Sequence, residues 1–443
     1  MKSTFRVKAF ALVGVIVALL LGLSSIDGLV NERRTRQIEA QASVADALAG
    51  AQTLLGPMLR RTCNETWERE EMVDKTRKMV AQRRDFTLSA WPATVEVQAT
   101  LGIEPRYRGL FKVNSYAANM QVHATWPHLQ ALQRPAQHKG GQVQCGPVQV
   151  SLSLSDARGI RSASLLHAGA GLLLRPGSLV KKGASGFHAD LPSVKEGEPL
   201  RLELALELAG TQQLAWVPVG GQTRVKLSAD WPHPSFTGRY LPTQREVSAQ
   251  GFQAQWQVNA LAGGCEPDKA EAAGCTEQFG VSFIDPVNTY TLSERALKYG
   301  VLFIALSFIA VGLVEVLKRL RVHPMQYLLV GCALVVFFML LLSLSEHLPF
   351  AQAYLCAASA CTALLTYYAC HVLAGWRAGL AFGAGIGLLY GALYALLQLE
   401  QTALVMGALL LFAVLSAVIK ATRKLDWYAL GTPAPQPAAA QGT

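Results

Sequence analysis

The chain has 443 residues, a formal charge of +10 and a mean hydropathy of +0.26. Hydrophobic residues make up 51 % and charged residues 16 %, against roughly 25 % charged in ordinary soluble domains. That argues against a disordered tail protein and a typical cytosolic enzyme, and length alone suggests about three domains.

The first element is an uncharged run from Ala9 to Ile26, preceded by Lys2, Arg6 and Lys8. It reads as a retained membrane anchor over residues 1–29. A cleaved leader is the other reading, with Gly22-Leu23-Ser24 as a small-residue site. The run is long for the apolar part of a leader, and no A-x-A pattern ends it.

Residues 30–298 are long enough to form a core of their own. They open on Ile38, Val44, Leu48, Leu54 and Leu55, apolar among polar and alanine positions, which predicts a helix up to Gly56-Pro57. After Phe86 the period changes to two: TVEVQATLGI, VQVSLSLSD, RLELALEL and TRVKLSAD alternate apolar and polar residues. Clusters such as Arg175-Pro176-Gly177-Ser178 separate them. This predicts an antiparallel, mostly β domain with one face buried. Trp-Pro pairs recur at Trp91, Trp126 and Trp231, after or between these stretches.

Cys63, Cys145, Cys265 and Cys275 lie in this segment and are candidate disulfide partners, with three connectivities open. A zinc site is the rival reading, without a C-x-x-C or a nearby histidine pair to support it. Ser178-Leu179-Val180-Lys181 matches S-x-x-K, but K-T-G and S-D-N are absent and its context is turn and strand. No G-x-S-x-G, H-E-x-x-H or Walker loop occurs. No catalytic residue, metal site or cofactor is expected.

Five more apolar runs follow: Gly300–Leu317, Tyr327–Ser345, Phe350–Leu373, Ala378–Leu399 and Thr402–Ile419. Each, like the first, has about 18–24 residues, enough to cross a hydrocarbon core of roughly 30 Å as a helix. They predict a five-helix bundle over 299–420. Residues 421–443 form a tail, disordered by composition from about Gly431. Lys318, Arg319 and Arg321, then Arg377, then Lys420, Arg423 and Lys424, occupy alternate connections. By the positive-inside rule these are cytoplasmic, which puts both termini in the cytoplasm and residues 30–298 outside. Arg33, Arg34 and Arg36 run against this locally and are discounted, because long domains cross largely regardless of charge. The basic balance thus serves membrane orientation, and no nucleic-acid partner is expected.

The expected fold is a membrane protein with six α-helical transmembrane segments and a large, mainly β external domain between the first and second. Gly379, Gly383, Gly387 and Gly391 form a stripe at a step of four on the fifth helix, the spacing that lets helix backbones approach. The fourth helix, rich in alanine, is its expected partner, and lining a pore is the rival role. Glu346 and His347 end the third helix and Glu400 the fifth, so all three reach one leaflet. Solvated loop residues are one reading. Docking of the β domain, through Arg295 or Lys298, is the second, and a proton or metal site is the third.

Several stretches together resemble the CreD family of bacterial inner-membrane proteins. They are Ser228 to Trp256 (SADWPHPSFTGRYLPTQREVSAQGFQAQW), FGVSFIDPVNTY from Phe279, RALKYGVLFI from Arg295, HPMQYLLVG from His323, LLLSLSEH from Leu340 and TRKLDWY from Thr422. QTLLGPML from Gln52 and RGLF after Pro105 fit more loosely. Gln401 after Glu400, and the segment Cys265 to Cys275, depart from the family pattern. The resemblance implies an inner-membrane protein with a periplasmic domain, tied to cell-envelope integrity and the envelope stress response, and it brings no catalytic residue. The expected function is therefore non-enzymatic. The bilayer and an unidentified periplasmic or envelope component are the expected partners. A transporter or ion-coupled protein is the alternative, and a periplasmic hydrolase the third hypothesis.

Overall fold

The computed structural model describes residues 2–73, 76–180, 185–192, 194, 197–262, 277–283, 285, 288–318, 322–373, 375–399 and 403–423. Cys265, Cys275, Glu400, Lys181 and the tail from residue 424 lie outside the described residues. The chain divides into two compact units, Arg36–Pro286 and Met1–Thr35 with Val287–Thr443.

The helices are Lys2–Ala47 (α1), Thr289–Lys318 (α2), Pro324–Ser345 (α3), Phe350–Val372 (α4), Trp376–Gln398 (α5) and Ala403–Thr422 (α6). In chain order the strands are Gln52–Val73 (β1), Thr76–Ala90 (β2), Thr94–Arg108 (β3), Phe111–Trp126 (β4), Gln142–Cys145 (β5), Val148–Leu154 (β6), Ile160–His167 (β7), Ala170–Gly171 (β8), Arg175–Pro176 (β9), Gly186–Leu191 (β10), Leu200–Thr211 (β11), Gln213–Trp216 (β12), Gln222–Ala229 (β13), Ser235–Gly238 (β14), Gln244–Ser248 (β15), Gly251–Asn259 (β16) and Phe279–Ser282 (β17).

The β unit is a sandwich. One sheet runs β14-β17-β12-β1-β6-β10-β9, with β2 and β5 also on β1, and the other runs β15-β16-β13-β3-β4-β11-β7-β8. Their inner faces share one apolar cluster. The period-two stretches bury alternate residues, as Leu200, Leu202, Leu204 and Leu206 do on β11. Aromatic side chains from both sheets interlock: Trp256 lies 5.8 Å from Phe279 and 5.7 Å from Phe236, centroid to centroid. Pairing is antiparallel except for β1 with β12 and β3 with β13, which are parallel. Alternation reports the buried face and is silent on strand direction.

One expectation fails at the start of this unit. The helix ends at Ala47, and Leu54 and Leu55 lie in β1. Gly56-Pro57 does not stop a helix; it sits where the β1–β6 register shifts, between Leu55 and Met58. Gly56 has φ +118°, a conformation open to glycine, and its neighbour Pro57 has no N–H to give the ladder. The pair therefore makes a bulge inside a strand.

In the helical unit, five helices among the described residues are long and apolar enough to cross a membrane: Phe10–Ala47, Thr289–Glu315, Pro324–Ser345, Phe350–Val372 and Trp376–Gln398. The apolar α6 follows them. The helix begun at the first apolar run continues past residue 29 to Ala47. The start of α3 is fixed by a capping box: His323 accepts from the Met325 N–H, Gln326 accepts from the His323 N–H, and Pro324 opens the first turn. Phe337 of α3, Phe303 of α2 and Tyr390 of α5 pack with centroids 4.5–4.7 Å apart. α1 lies on α3 through Leu19, which occupies the space that a Cβ at Gly331 would need.

Candidate functional site: ionic clamps, a helix groove and a polar knot

α1 is tied to its neighbours at two levels. Lys8 pairs with Glu315 of α2, which also accepts a hydrogen bond of 2.8 Å from the Tyr327 hydroxyl of α3. Near the other end, Arg33 lies 3.4 Å from Glu346, and Arg34 lies 3.2 Å from Glu294, which also holds Lys298 at 2.8 Å. From residue 8 to 33 a helix rises about 37 Å, and the stretch between is largely apolar. An unpaired charge at a membrane boundary is costly, so these pairs let polar ends stay against the bundle.

Of the residues read from sequence, Glu346 therefore meets Arg33, within the helical unit, and Lys298 meets Glu294. His347 is exposed and Arg295 half-buried. Sequence reasoning discounted Arg33 and Arg34 as exceptions to a topology rule, although they are ion-pair partners. Their signal was their position, directly after an apolar run and opposite Glu294 and Glu346 in other helix ends. Among the described residues, no group of three or more His, Cys, Asp or Glu is placed to hold a metal ion.

The glycine stripe changes character along α5. A Cβ on Gly379 would lie 2.2 Å from Cys370 Sγ, and one on Gly383 1.9 Å from Thr366 Oγ1, so α4 and α5 touch there. At Gly387 the nearest atom would be 3.8 Å away, and at Gly391 nothing lies within 4 Å. A groove of about 1000 Å³ opens at that level, lined among others by Tyr354, Thr362, Tyr394 and the two glycines.

In the β unit, a polar knot holds the end of α1. Asp156 accepts from the Arg158 guanidinium at 2.6 Å and from the Gly50 N–H at 3.2 Å. Arg158 donates onward to the Asp46 carbonyl at 2.6 Å, satisfying a carbonyl that a helix C-terminus leaves open. Gln52, fully buried, donates to the Asp156 carbonyl at 2.8 Å. The side-chain bond from Arg158 holds the Asp156 carboxyl down at about 2, with backbone N–H groups of Arg158 and Gly50 assisting against burial.

A buried carboxylate, Glu65, accepts from the Gln137 and His138 N–H groups at 2.7 and 2.8 Å. The His138 N–H leads the effects that lower its pKa. The loop so held is also fixed by a disulfide between Cys63 and Cys145, which face each other across β1 and β5. Ser178, from the S-x-x-K match, is buried and accepts from the Val180 N–H. That is a turn-holding role.

Comparison with known proteins gives the chain's relatives. Inner membrane protein CreD of Escherichia coli (strain K12) is 33 % identical over 442 residues, covering 98 % of this chain and 96 % of that protein. Among solved structures, an M1 zinc metallopeptidase from Deinococcus radiodurans aligns at 10 % identity over 79 % of this chain and 96 % of that one, with a TM-score of 0.20. A mutant of that enzyme aligns at 11 % identity over 43 % and 42 %, also with a TM-score of 0.20. Likeness at that level carries no argument about fold or chemistry. The profile described as inner membrane protein CreD matches residues 4–428, and with that coverage the chain belongs to the CreD family of inner membrane proteins.

Proposed function

We propose that the chain is a non-enzymatic inner-membrane protein with six transmembrane helices, both termini cytoplasmic and the β unit in the periplasm. There the β unit contacts a partner or envelope component and supports envelope integrity under stress. The Cys63–Cys145 disulfide carries this reading, since structural disulfides persist in oxidising compartments. The cysteines of the apolar helices, Cys332, Cys356, Cys361 and Cys370, are free thiols. The alternating Lys/Arg content of the short connections agrees with the same orientation. Deleting the gene and challenging cells with bile-salt detergent and osmotic downshift tests the role. Loss of survival, restored by the wild-type chain, is expected. Unchanged survival under both challenges contradicts it.

A further inference from the structure

The outer face of the eight-stranded sheet bears a groove of about 440 Å³ across β3, β13, β16 and β15. The strand registers arrange its side chains in rungs. Gln244, Gln255, Lys226 and Gln98 stand opposite one another over four strands. Glu246, Gln253, Ser228 and Thr100 form the next rung, with the Ser228 hydroxyl donating to Thr100 at 3.3 Å. Neighbouring strands lie about 4.8 Å apart and successive outward residues about 6.7 Å, so the polar groups make a regular lattice.

Each rung carries one charge, Lys226 in the first and Glu246 in the second, and the other six members are amides and hydroxyls. Arg245 of the edge strand, between the two rungs, also lines the groove. An amide offers both donors and an acceptor, which suits a ligand whose groups each donate and accept. Ala99, Leu227 and Ala254 between the rungs are buried in the core and lend the groove little apolar side-chain surface. Lipid chains and apolar peptide anchors need such surface, and a polyanion would need more cations.

We propose that this groove binds an extended, hydroxyl-rich glycan strand lying across the sheet. The proposal rests on the periplasmic reading of the β unit and names the envelope component which that reading leaves open.

The test uses the full chain purified in detergent. The probes are a β-1,4-linked N-acetylglucosamine hexamer and glycan strands freed from cell wall by amidase. Saturable binding of either is expected, weakened about tenfold or more in Ser228→Trp, which fills the groove, and in the Gln98→Leu/Gln255→Leu pair, which removes hydrogen bonds but keeps shape. Glu207→Gln, outside the groove, should bind as the parent does. Absence of saturable binding to both probes overturns the proposal, as does binding that the well-folded Leu pair leaves intact. Binding of unstructured peptides in place of glycan also overturns it and assigns the groove to a protein partner. Failure here, with topology reporters still placing the β unit outside, removes the glycan and leaves the proposed function standing.

Discussion

Asp156 ties a helix end to a sheet through one carboxylate. Its folded pKa, about 2, is below the ordinary carboxylate value. Its contribution is therefore complete above about pH 4 and is lost as pH falls through about 2. Asp156→Asn should destabilise the β unit by about 1 kcal/mol at neutral pH, after discounting for solvent around Arg158. The deficit should narrow as pH approaches 2 in denaturant melts, and a deficit independent of pH would contradict the role. Glu65 works in the same direction. The glycines of α5 make a second contrast at this scale. Gly383→Ala should cost about 1–3 kcal/mol through overpacking against Thr366. Gly391→Ala, with free space, should be neutral or gain about 0.5–1 kcal/mol from helix propensity. Thermal melts in detergent compare them, and equal losses would mean that the helices touch along their whole length.

At the scale of elements, α1 is held by Arg33–Glu346 and Arg34–Glu294 as well as by Leu19 over Gly331. A double-mutant cycle with Arg33→Gln and Glu346→Gln should show coupling of about 0.5–1 kcal/mol; additivity of the two single losses would refute the clamp. The strands most legible in the sequence were those with one face in the core, such as β3, β11 and β13, because burial imposes period two on them. β17 was not legible, since Phe279 to Ser282 is buried throughout and shows no alternation. β1 was misread because Gly56-Pro57 marks a helix stop and a bulge equally well. The anchor and the helical stretch after it were each legible, but not their union in one helix, because hydropathy falls after Ile26 while α1 continues through polar residues to Ala47. The glycine stripe was legible as a spacing, but its division into a contact and a groove depends on how α4 and α5 diverge. The partners of Glu346 were hidden for a similar reason: helix order fixes which groups reach one level, and packing decides which of them meet.

For the whole molecule, two units with separate cores imply two separable responses. Replacing Cys63 and Cys145 by serine opens a link across 82 positions and should cost the β unit about 2–4 kcal/mol. The melting of the helical unit should stay unchanged, as followed by near-ultraviolet and far-ultraviolet circular dichroism; a shift of both transitions together would show that the units unfold as one. The central claim is the sidedness of these units. A pair of reporters active only in the cytoplasm tests it most directly, one fused after Lys424 and one within the β unit near Gly177. The first should be active and the second silent, whereas activity at Gly177 with silence after Lys424 would contradict the proposed topology and, with it, the periplasmic role of the β unit.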